Sequence, residues 1–303
     1  MAYRIVVCAK QVPDTKNITG DAMTADGRVN RAALPAIFNP EDKNALEMGL
    51  WLRDTYGGTV TVITMGPPRA AGLLREALQM GADDVALVSG SGLGNADTLA
   101  TSYTLAKAVE HAGGADIVLC GRQAIDGDTA QTGPQLAGRL GIAQATYVTQ
   151  VLELGDGRIK VKRLIEGGSE TVETALPVLM TIPAAANQPR PPRAKLVMKY
   201  KKARAPWELA GLVDPNKELS DEELEQRLKE KESKLARAGL LIPEWDGAAI
   251  GADLARCGRD GSPTWVMKAT PAVLKQTQHK RIEPTDEALR DLVDELVGDH
   301  LLG

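Results

Sequence analysis

The strand–loop–helix pattern over residues 115–140 constrains the fold of this chain more than any other segment. Residues 115–120 form an apolar run that is typical of a buried parallel strand. A polar loop containing Gly121 and Gly127 follows, and the next helical pattern ends at Gly141. Main-chain amides at such a helix start lack internal partners, and the helix dipole favours an anion. The segment therefore predicts a phosphate-binding crossover of an α/β protein, with an ordinary crossover turn as the alternative.

The acidic residues of this loop need a separate explanation, because Asp126 and Asp128 would repel a phosphate that they faced. We expect Asp128 to turn back and cap its own helix together with Gln131. Pro134 then falls within the first two helical turns. Arg122 is expected to offset the local negative charge.

The composition limits the possible functions. The 303 residues include 36 basic and 40 acidic side chains, and this mild acidity with no broad basic face argues against nucleic-acid binding. Aromatic residues make up 3%, so the core must be built from aliphatic residues, as in parallel α/β sheets. The three cysteines are too few and too far apart for a disulfide framework or a metal site, and Cys8 and Cys120 are expected to be buried. With neither a signal-peptide pattern nor a membrane span, we expect a cytoplasmic protein.

Strand and helix signals alternate over the first half of the chain. One helix is expected to begin with Asn39 as its cap, Pro40 at its first position and acidic residues in its first turn. Repeated β-α units predict a Rossmann-like parallel sheet with helices on both faces. The expected strands cover residues 3–9, 59–65, 84–88 and 116–120, and the expected helices cover 40–56, 68–80 and 97–112.

After about residue 145 the pattern changes to short strands joined by glycine-rich turns. We expect strands over residues 146–154, 158–165 and 170–181, which together form an antiparallel hairpin-like addition. Residues 187–206 are rich in proline and basic side chains, and they predict an extended arm without compact structure.

The C-terminal part shows two helical patterns. A capping box at Ser220 and Glu223 begins a charged helix, and an apolar stripe over residues 285–300 is expected to dock on the chain's own core or on a partner. We therefore divide the chain into an α/β nucleotide-binding domain, residues 1–186, and a second region, residues 187–303. The second region holds a basic arm, a charged helical insertion and a C-terminal partner-wrapping segment.

A second glycine-rich segment, residues 90–95, is not a dinucleotide fingerprint. Its spacing is G-x-G-x-G and it follows the third strand, not the first. It is expected to be a loop before a helix capped near Asn95 or Asp97. An ordinary NAD-dependent dehydrogenase would also need a general acid or base, and none of the three histidines is suitably placed.

Several motifs, in this order, resemble the β subunit of electron-transfer flavoproteins, and they extend over nearly the first 200 residues. The resemblance implies the α/β nucleotide-binding fold, an adenine nucleotide in this subunit, an α subunit as partner, and electron transfer between dehydrogenases and other acceptors. The motifs are VCAKQVPDT at 7–15, NPED at 39–42, TMGP at 64–67, GAD at 81–83, CGRQAIDGD at 120–128 and NQPR at 187–190.

The segment DGDTAQ at residues 126–131 is similar to the electron-bifurcating branch of that family. In that branch the pocket holds FAD, and NADH is the electron donor; in the respiratory branch it holds a structural AMP. The small Gly127 agrees with a close approach of a diphosphate. The resemblance thus implies FAD, with AMP as the alternative. It also implies an acyl-CoA-dehydrogenase-type flavoenzyme and a low-potential acceptor, a ferredoxin or flavodoxin, as partners. A stand-alone ATP- or AMP-binding sensor is a further alternative.

The resemblance also implies roles for particular positions, none of them as nucleophile or base. Ala9 would contact the adenine through its main chain, residues 39–42 would line the adenosine side, and Met65 would lie at the opposite strand end. The phosphates would meet the amides of residues 121–132. The implied cofactor-binding residues are Ala9, Asn39, Pro40, Glu41, Asp42, Met65, Gly121, Arg122, Gln123, Ala124, Ile125, Asp126, Gly127, Asp128, Thr129, Ala130, Gln131 and Thr132, with Thr129 and Gln131 adding side-chain donors.

The segment 184–193 lies where the family keeps a loop that recognises partner dehydrogenases. Family members usually present a larger apolar anchor there, whereas this chain has alanine at positions 184, 185 and 186. The basic residues between 195 and 204 would steer an acidic partner, and a solvated linker is the alternative.

Overall fold

The computed structural model describes residues 2–14, 35–215, 219–267 and 281–298. These ranges form a Rossmann-like α/β fold with a separate antiparallel sheet, as predicted. The strands are β1 Tyr3–Cys8, β2 Gln11–Pro13, β3 Ala36–Phe38, β4 Gly58–Met65, β5 Asp84–Val88, β6 Ile117–Gly121, β7 Ala143–Ala145, β8 Val148–Gly155, β9 Arg158–Ile165, β10 Gly168–Ala175, β11 Val178–Ile182 and β12 Glu244–Trp245. The helices are α1 Pro40–Tyr56, α2 Ala71–Met80, α3 Thr98–His111, α4 Thr132–Leu140, α5 Ala194–Tyr200, α6 Pro206–Val213, α7 Asp221–Arg237 and α8 Asp286–Gly298.

The central sheet has seven strands in the order β12-β5-β4-β1-β6-β11-β7, and all its pairings are parallel. From β1 the chain builds one side of the sheet through β4 and β5, and then returns to build the other side through β6 and β11. The order therefore reverses between β1 and β6. Open α/β sheets leave a crevice at the carboxyl ends of the strands at such a reversal.

Both faces of this sheet are covered by helices, which explains the continuous apolar runs in the sequence. Val7 and Leu119 face the core under α1 and α2, whereas their neighbours Val6 and Val118 face the core under α3 and α4. Successive side chains alternate between the faces, and each face is buried. Cys8 and Cys120 are both buried on the α3–α4 face, as predicted.

The antiparallel addition is confirmed as the sheet β10-β9-β8, but the third predicted strand, 170–181, is wrong as a single element. Its first part belongs to β10, and its second part is β11, which lies in the parallel sheet between β6 and β7. Pro177 separates them because proline has no N–H for a continuous ladder. Both parts have strand-like composition, so only their partners distinguish them.

The prediction of an extended arm over residues 187–206 is also wrong, because the segment lies along α1 and then forms α5. Asn44 and Asn187 exchange side-chain hydrogen bonds with each other's main chain, at 2.7 and 3.0 Å. Arg190 binds both carboxylate oxygens of Glu47, at 2.8 and 3.0 Å. These partners are 143 positions apart, so the local composition gave no sign of them.

Among the described residues after 187, one strand, β12, joins the central sheet. The capping box of α7 is confirmed, with Ser220 and Glu223 bonded reciprocally, and its stripe includes the buried Leu235. After α7 the chain pairs β12 with β5. In α8 the stripe residues Leu289, Val293 and Val297 are about half exposed; His300 lies outside the described residues. None of the helices in the described ranges combines the length and apolarity needed to cross a membrane.

Candidate functional site

The first turn of α1 lies across the crevice between β1 and β6. The carboxylate of Asp42 accepts a hydrogen bond from the main-chain N–H of Lys10 at 2.8 Å and another from that of Gly121 at 2.9 Å. It thereby joins the carboxyl ends of the two strands. Asp42 is buried, and the loss of hydration raises the pKa of its carboxyl group to about 7, although the hydrogen bonds from Lys10, Asn39 and Gly121 act in the opposite direction.

Glu41 holds the beginning of the 121–132 loop. Its Oε2 accepts hydrogen bonds from the main-chain N–H of Gln123 at 3.0 Å and from Arg122 Nε at 3.2 Å. Arg122 therefore neutralises Glu41. The prediction that it offsets the acidic residues of its own loop is wrong. The loop's Asp126 instead forms an ion pair with Lys10, at 2.6 Å. Lys10 was missed as a candidate, although a residue just after β1 must lie at this edge of the sheet.

Asn39 occupies the capping position of α1, but its side chain does not cap the helix, so that part of the prediction is wrong. Its Nδ2 donates to the carbonyl of Gln123 at 2.9 Å, and its Oδ1 accepts from the N–H of Ile125 at 3.2 Å. Asn39 is fully buried, and its amide must find partners where it lies. The loop supplies them, while the N–H of Asp42 bonds to the main-chain oxygen of Asn39.

The loop itself divides into two halves by the use of its main-chain amides. In the first half, the N–H groups of Gly121, Gln123 and Ile125 bind the side chains of Asp42, Glu41 and Asn39, respectively. Those of Gly127 and Asp128 bind the carbonyl of Ala124. In the second half the amides are open: the described residues provide no acceptor for the N–H groups of Thr129, Ala130, Gln131 and Thr132.

The open amides belong to a backbone shape that concentrates positive charge. Ala130 has the left-handed φ of 52°, and Gln131 follows with the right-handed values φ −99° and ψ −29°. Such an alternation turns successive N–H groups into one concavity, an anion-binding nest. We call the N–H groups of residues 130–132 the amide nest. It lies at the N-terminus of α4, where the helix dipole adds to the same field.

The N-terminus of α4 differs in charge from those of α1 and α3. It carries no acidic residue in its first turn and no side-chain cap, whereas α1 has Glu41 and Asp42, and Asp97 caps α3. The predicted capping pair of Asp128 with Gln131 is therefore wrong. Asp128 accepts a hydrogen bond from Gln123 Nε2 at 2.9 Å, and Gln131 Oε1 accepts one from Thr98 Oγ1 at 3.0 Å. Thr98 was missed, and no sequence signal connects it to the loop.

Two glycines of this region differ in what surrounds them. A Cβ at Gly133 would lie 2.8 Å from Thr181 Cγ2, so this glycine seats α4 on β11. A Cβ at Gly127 would meet nothing within 4 Å, and its φ lies outside the left-handed region. Neither packing nor backbone conformation requires a glycine at position 127.

The remaining predicted residues lie at the same edge of the sheet. Ala9 follows β1, is buried, and donates its N–H to Ile63 at 2.9 Å; Met65 ends β4 and is half-buried. The fold thus brings Ala9, Met65, residues 39–42 and residues 121–132 to one edge. That any of them contacts a nucleotide stays a prediction.

The 90–95 segment is a loop before a capped helix, as predicted. Asp97 caps α3 by accepting from the N–H of Ala100 at 2.9 Å. The other carboxylate oxygen of Asp97 accepts a hydrogen bond from Thr264 Oγ1 at 2.8 Å. The main-chain N–H of Asp97 donates to the hydroxyl of Ser262. The segment that contains Ser262 and Thr264 therefore packs against the start of α3.

The reversed strand order, the two-sided helical cover and the loop before α4 define a Rossmann-like α/β protein. Residues 26–206 match the family model described as electron transfer flavoprotein domain. The chain belongs to the electron transfer flavoprotein family, within its β subunits, and its role is in electron transfer.

Three relatives illustrate the range of similarity. The chain is 41% identical over 298 residues to the electron transfer flavoprotein subunit beta of Clostridium acetobutylicum, covering 98% of this chain and 99% of the relative. It is 36% identical over 300 residues to protein FixA of Rhizobium meliloti, covering 97% and 89%. It is 49% identical over 188 residues to the caffeyl-CoA reductase-Etf complex subunit CarD of Acetobacterium woodii, covering 62% and 71%.

Proposed function

We propose that this chain pairs with an electron-transfer flavoprotein α subunit and binds FAD at the crevice between β1 and β6. In this proposal the heterodimer takes electrons from NADH and bifurcates them. One goes to an acyl-CoA-dehydrogenase-type flavoenzyme and the other to a low-potential acceptor, a ferredoxin or flavodoxin. The observation that carries the nucleotide site is the amide nest at residues 130–132, whose N–H groups have no acceptor among the described residues.

The phosphates fit the second half of the loop better than the first. The amides of Gly121, Gln123 and Ile125 already donate to side chains of residues 39–42, so a phosphate there would have to displace Asp42, Glu41 or Asn39. The amide nest has no such competitor, and α4 contributes its positive end. Thr129 is exposed, and its hydroxyl adds a donor beside the nest. We therefore place the phosphates at residues 129–132.

The residues 39–42 have an indirect part in this proposal. Three of them are buried and bonded to residues 121–125, so they hold the loop in shape and leave the nest to the ligand. The adenosine lies toward the ends of β1 and β4, beside Ala9 and Met65. A flavin bound here supplies the redox chemistry, and the chain's own residues bind and orient it.

FAD is preferred to AMP because of the open space at Gly127. The packing of the protein does not require a glycine at position 127. A side chain at this exposed position in the loop would instead take up space next to the amide nest. A diphosphate occupies more of this surface than a monophosphate does. AMP with a structural part is the alternative.

We propose that the partner flavoenzyme binds to the surface formed by the arm and α5. Residues 187–206 contain seven basic and no acidic side chains, and Met198 in α5 is 62% exposed. A basic surface around an apolar side chain suits an acidic partner. Two relatives are named as subunits of acryloyl-CoA and caffeyl-CoA reductase systems, which favours a flavoenzyme acting on acyl-CoA.

The cofactor content of the purified heterodimer tests this proposal. The chain is co-expressed with its α subunit, and flavin absorbance and mass spectrometry count the nucleotides. Two flavins per heterodimer, with bleaching of the yellow colour by NADH, are expected. One flavin with one AMP would rule out bifurcation but keep the site. A colourless, stable single chain that binds ATP or AMP would favour the sensor alternative. Co-purification from the native source would identify the partner flavoenzyme.

A further inference from the structure

Two of the three cysteines lie side by side on the two neighbouring strands whose ends border the crevice. Cys8 on β1 and Cys120 on β6 are direct register partners in the parallel pairing of these strands. Adjacent strands lie about 4.8 Å apart, which is within the Cα–Cα range that disulfides span. Both side chains belong to the core cluster on the α3–α4 face, so they point to the same side of the sheet.

The two thiols are close enough for one to affect the ionisation of the other. A hydrogen bond with the Cys8 thiol and burial both raise the pKa of the Cys120 thiol, and the Asp42 carboxylate adds to this. The first turn of α4 lies over Cys120, since a Cβ at Gly133 would be 3.8 Å from Cys120 Cβ. Cys257 has partners of its own: its thiol accepts from Thr104 Oγ1 at 3.5 Å and donates to the carbonyl of Asp253 at 3.3 Å.

We propose that Cys8 and Cys120 are a redox-active pair that forms a reversible disulfide with hydrogen peroxide as the oxidant. One thiol loses its proton, the thiolate attacks a peroxide oxygen, and the O–O bond breaks to give a sulfenic acid and hydroxide, which takes up the released proton and leaves as water. The second thiol attacks the sulfenic sulfur, the S–S bond forms, the S–O bond breaks and a second water leaves. Two thiols thus lose two electrons and two protons, and one peroxide becomes two waters.

The bond would fix the spacing of the two strand ends that border the crevice. Ala9 and Gly121 follow the two cysteines directly in sequence. The pair is buried, at 6% and 7% exposure, so it stays reduced until an oxidant penetrates the crevice. Because the thiolate is the reactive form and burial raises the pKa of Cys120, oxidation accelerates about tenfold per pH unit while the pH is below that pKa.

The test is a peroxide titration of the full-length chain, followed by denaturation, alkylation and peptide mapping. We expect a linked peptide joining Cys8 to Cys120, a loss of two of the three free thiols, and full recovery with dithiothreitol. Cys257→Ser is the matched control and must retain the linkage. Cys8→Ser and Cys120→Ser must each abolish it.

Three results would overturn the proposal. One is the absence of the linked peptide in a wild-type chain that keeps its circular dichroism spectrum. Another is a linkage that includes Cys257. The third is oxidation of either thiol to a sulfinic acid without a bridge. The mapping needs no nucleotide, so its outcome is independent of whether the proposed FAD site is correct.

Discussion

The carboxylate of Asp42 occupies the place where a side chain on Gly121 would have to lie. A Cβ at position 121 would collide with Asp42 Oδ1 and come within 2.8 Å of its main-chain nitrogen. The N–H of Gly121 donates to that same oxygen at 2.9 Å. The glycine in this loop is therefore needed for the close packing of β6 against α1. Its amide binds within the protein, and the amides that have no acceptor among the described residues come later in the loop, at residues 129–132.

This contact predicts that Gly121→Ala destabilises the protein strongly. The added methyl group meets main-chain atoms of Glu41 and Asp42, which cannot move without shifting α1. We expect a loss of about 2–4 kcal/mol in the free energy of unfolding. Urea denaturation measures it, with Gly127→Ala as the matched control, because that methyl group meets no atom within 4 Å. Equal effects of the two substitutions would contradict the packing role of Gly121.

The buried Asp42 predicts a pH dependence of stability. Its pKa is about 7 in the folded protein against an ordinary 3.8, so between these values the folded state binds more protons than the unfolded chain. Asp42 therefore adds to the free energy of unfolding at low pH, and this contribution is lost as pH rises from about 4 through 7, on the order of 4 kcal/mol over the whole interval and about 3 kcal/mol between pH 4.5 and 8. Asp42→Asn removes the titration. Urea curves at pH 4.5 and 8 should show a smaller decline for this variant, and parallel declines would refute the assignment.

Substitution at Gly127 should affect the nucleotide and spare the fold. The Cβ of a valine there would meet no atom within 4 Å, and position 127 lies two residues before the proposed phosphate position at residues 129–132. We expect Gly127→Val heterodimer to lose most of the β-subunit nucleotide, measured by mass spectrometry, with a change of about 0.5 kcal/mol or less in unfolding free energy. The control is Gly138→Val. Gly138 lies within α4, a Cβ there would also meet no atom within 4 Å, and this variant should keep its full nucleotide content. Unchanged occupancy in the Gly127 variant would show that the phosphates lie elsewhere.

The left-handed Ala130 allows a test of the amide nest. Its φ of 52° is costly for a residue with a Cβ, by about 1 kcal/mol, and a branched side chain would raise that cost. Ala130→Gly should keep the nest and preserve nucleotide affinity, whereas Ala130→Val should distort the nest and weaken binding about tenfold or more. Isothermal titration with the nucleotide identified in the wild type measures both. Equal nucleotide affinities in the two variants would show that the amide nest does not bind the nucleotide.

The arm is predicted to depend on the contact between Arg190 and Glu47. The guanidinium binds both carboxylate oxygens, and the two side chains are 21% and 14% exposed, so solvent screens them only in part. A double-mutant cycle with Arg190→Ala and Glu47→Gln should give a coupling of about 1–2 kcal/mol. Both single variants should also become more sensitive to trypsin at the lysines of α5. A coupling near zero with unchanged cleavage would mean that other contacts hold the arm.

The sequence was a good guide wherever local chemistry decides the structure. Continuous apolar runs that alternate with helical patterns predicted the parallel sheet. Ser220 and Glu223 predicted the start of α7. The same reasoning failed where a side chain has a choice of partners. Asn39 and Asp128 are both good capping residues, yet both bind Gln123 instead, because the fold brings that residue within reach.

By itself, the sequence determined the class of fold, the edge of the sheet at which the predicted site residues meet and the family to which the chain belongs. These depend on periodicity, on the carboxyl-end rule of parallel sheets and on motifs in fixed order. Only the tertiary structure decided which amides of the 121–132 loop are occupied, why Gly121 is a glycine and how the arm is held. Each depends on atoms from segments some 80 or 140 positions apart, and no local pattern records such a meeting.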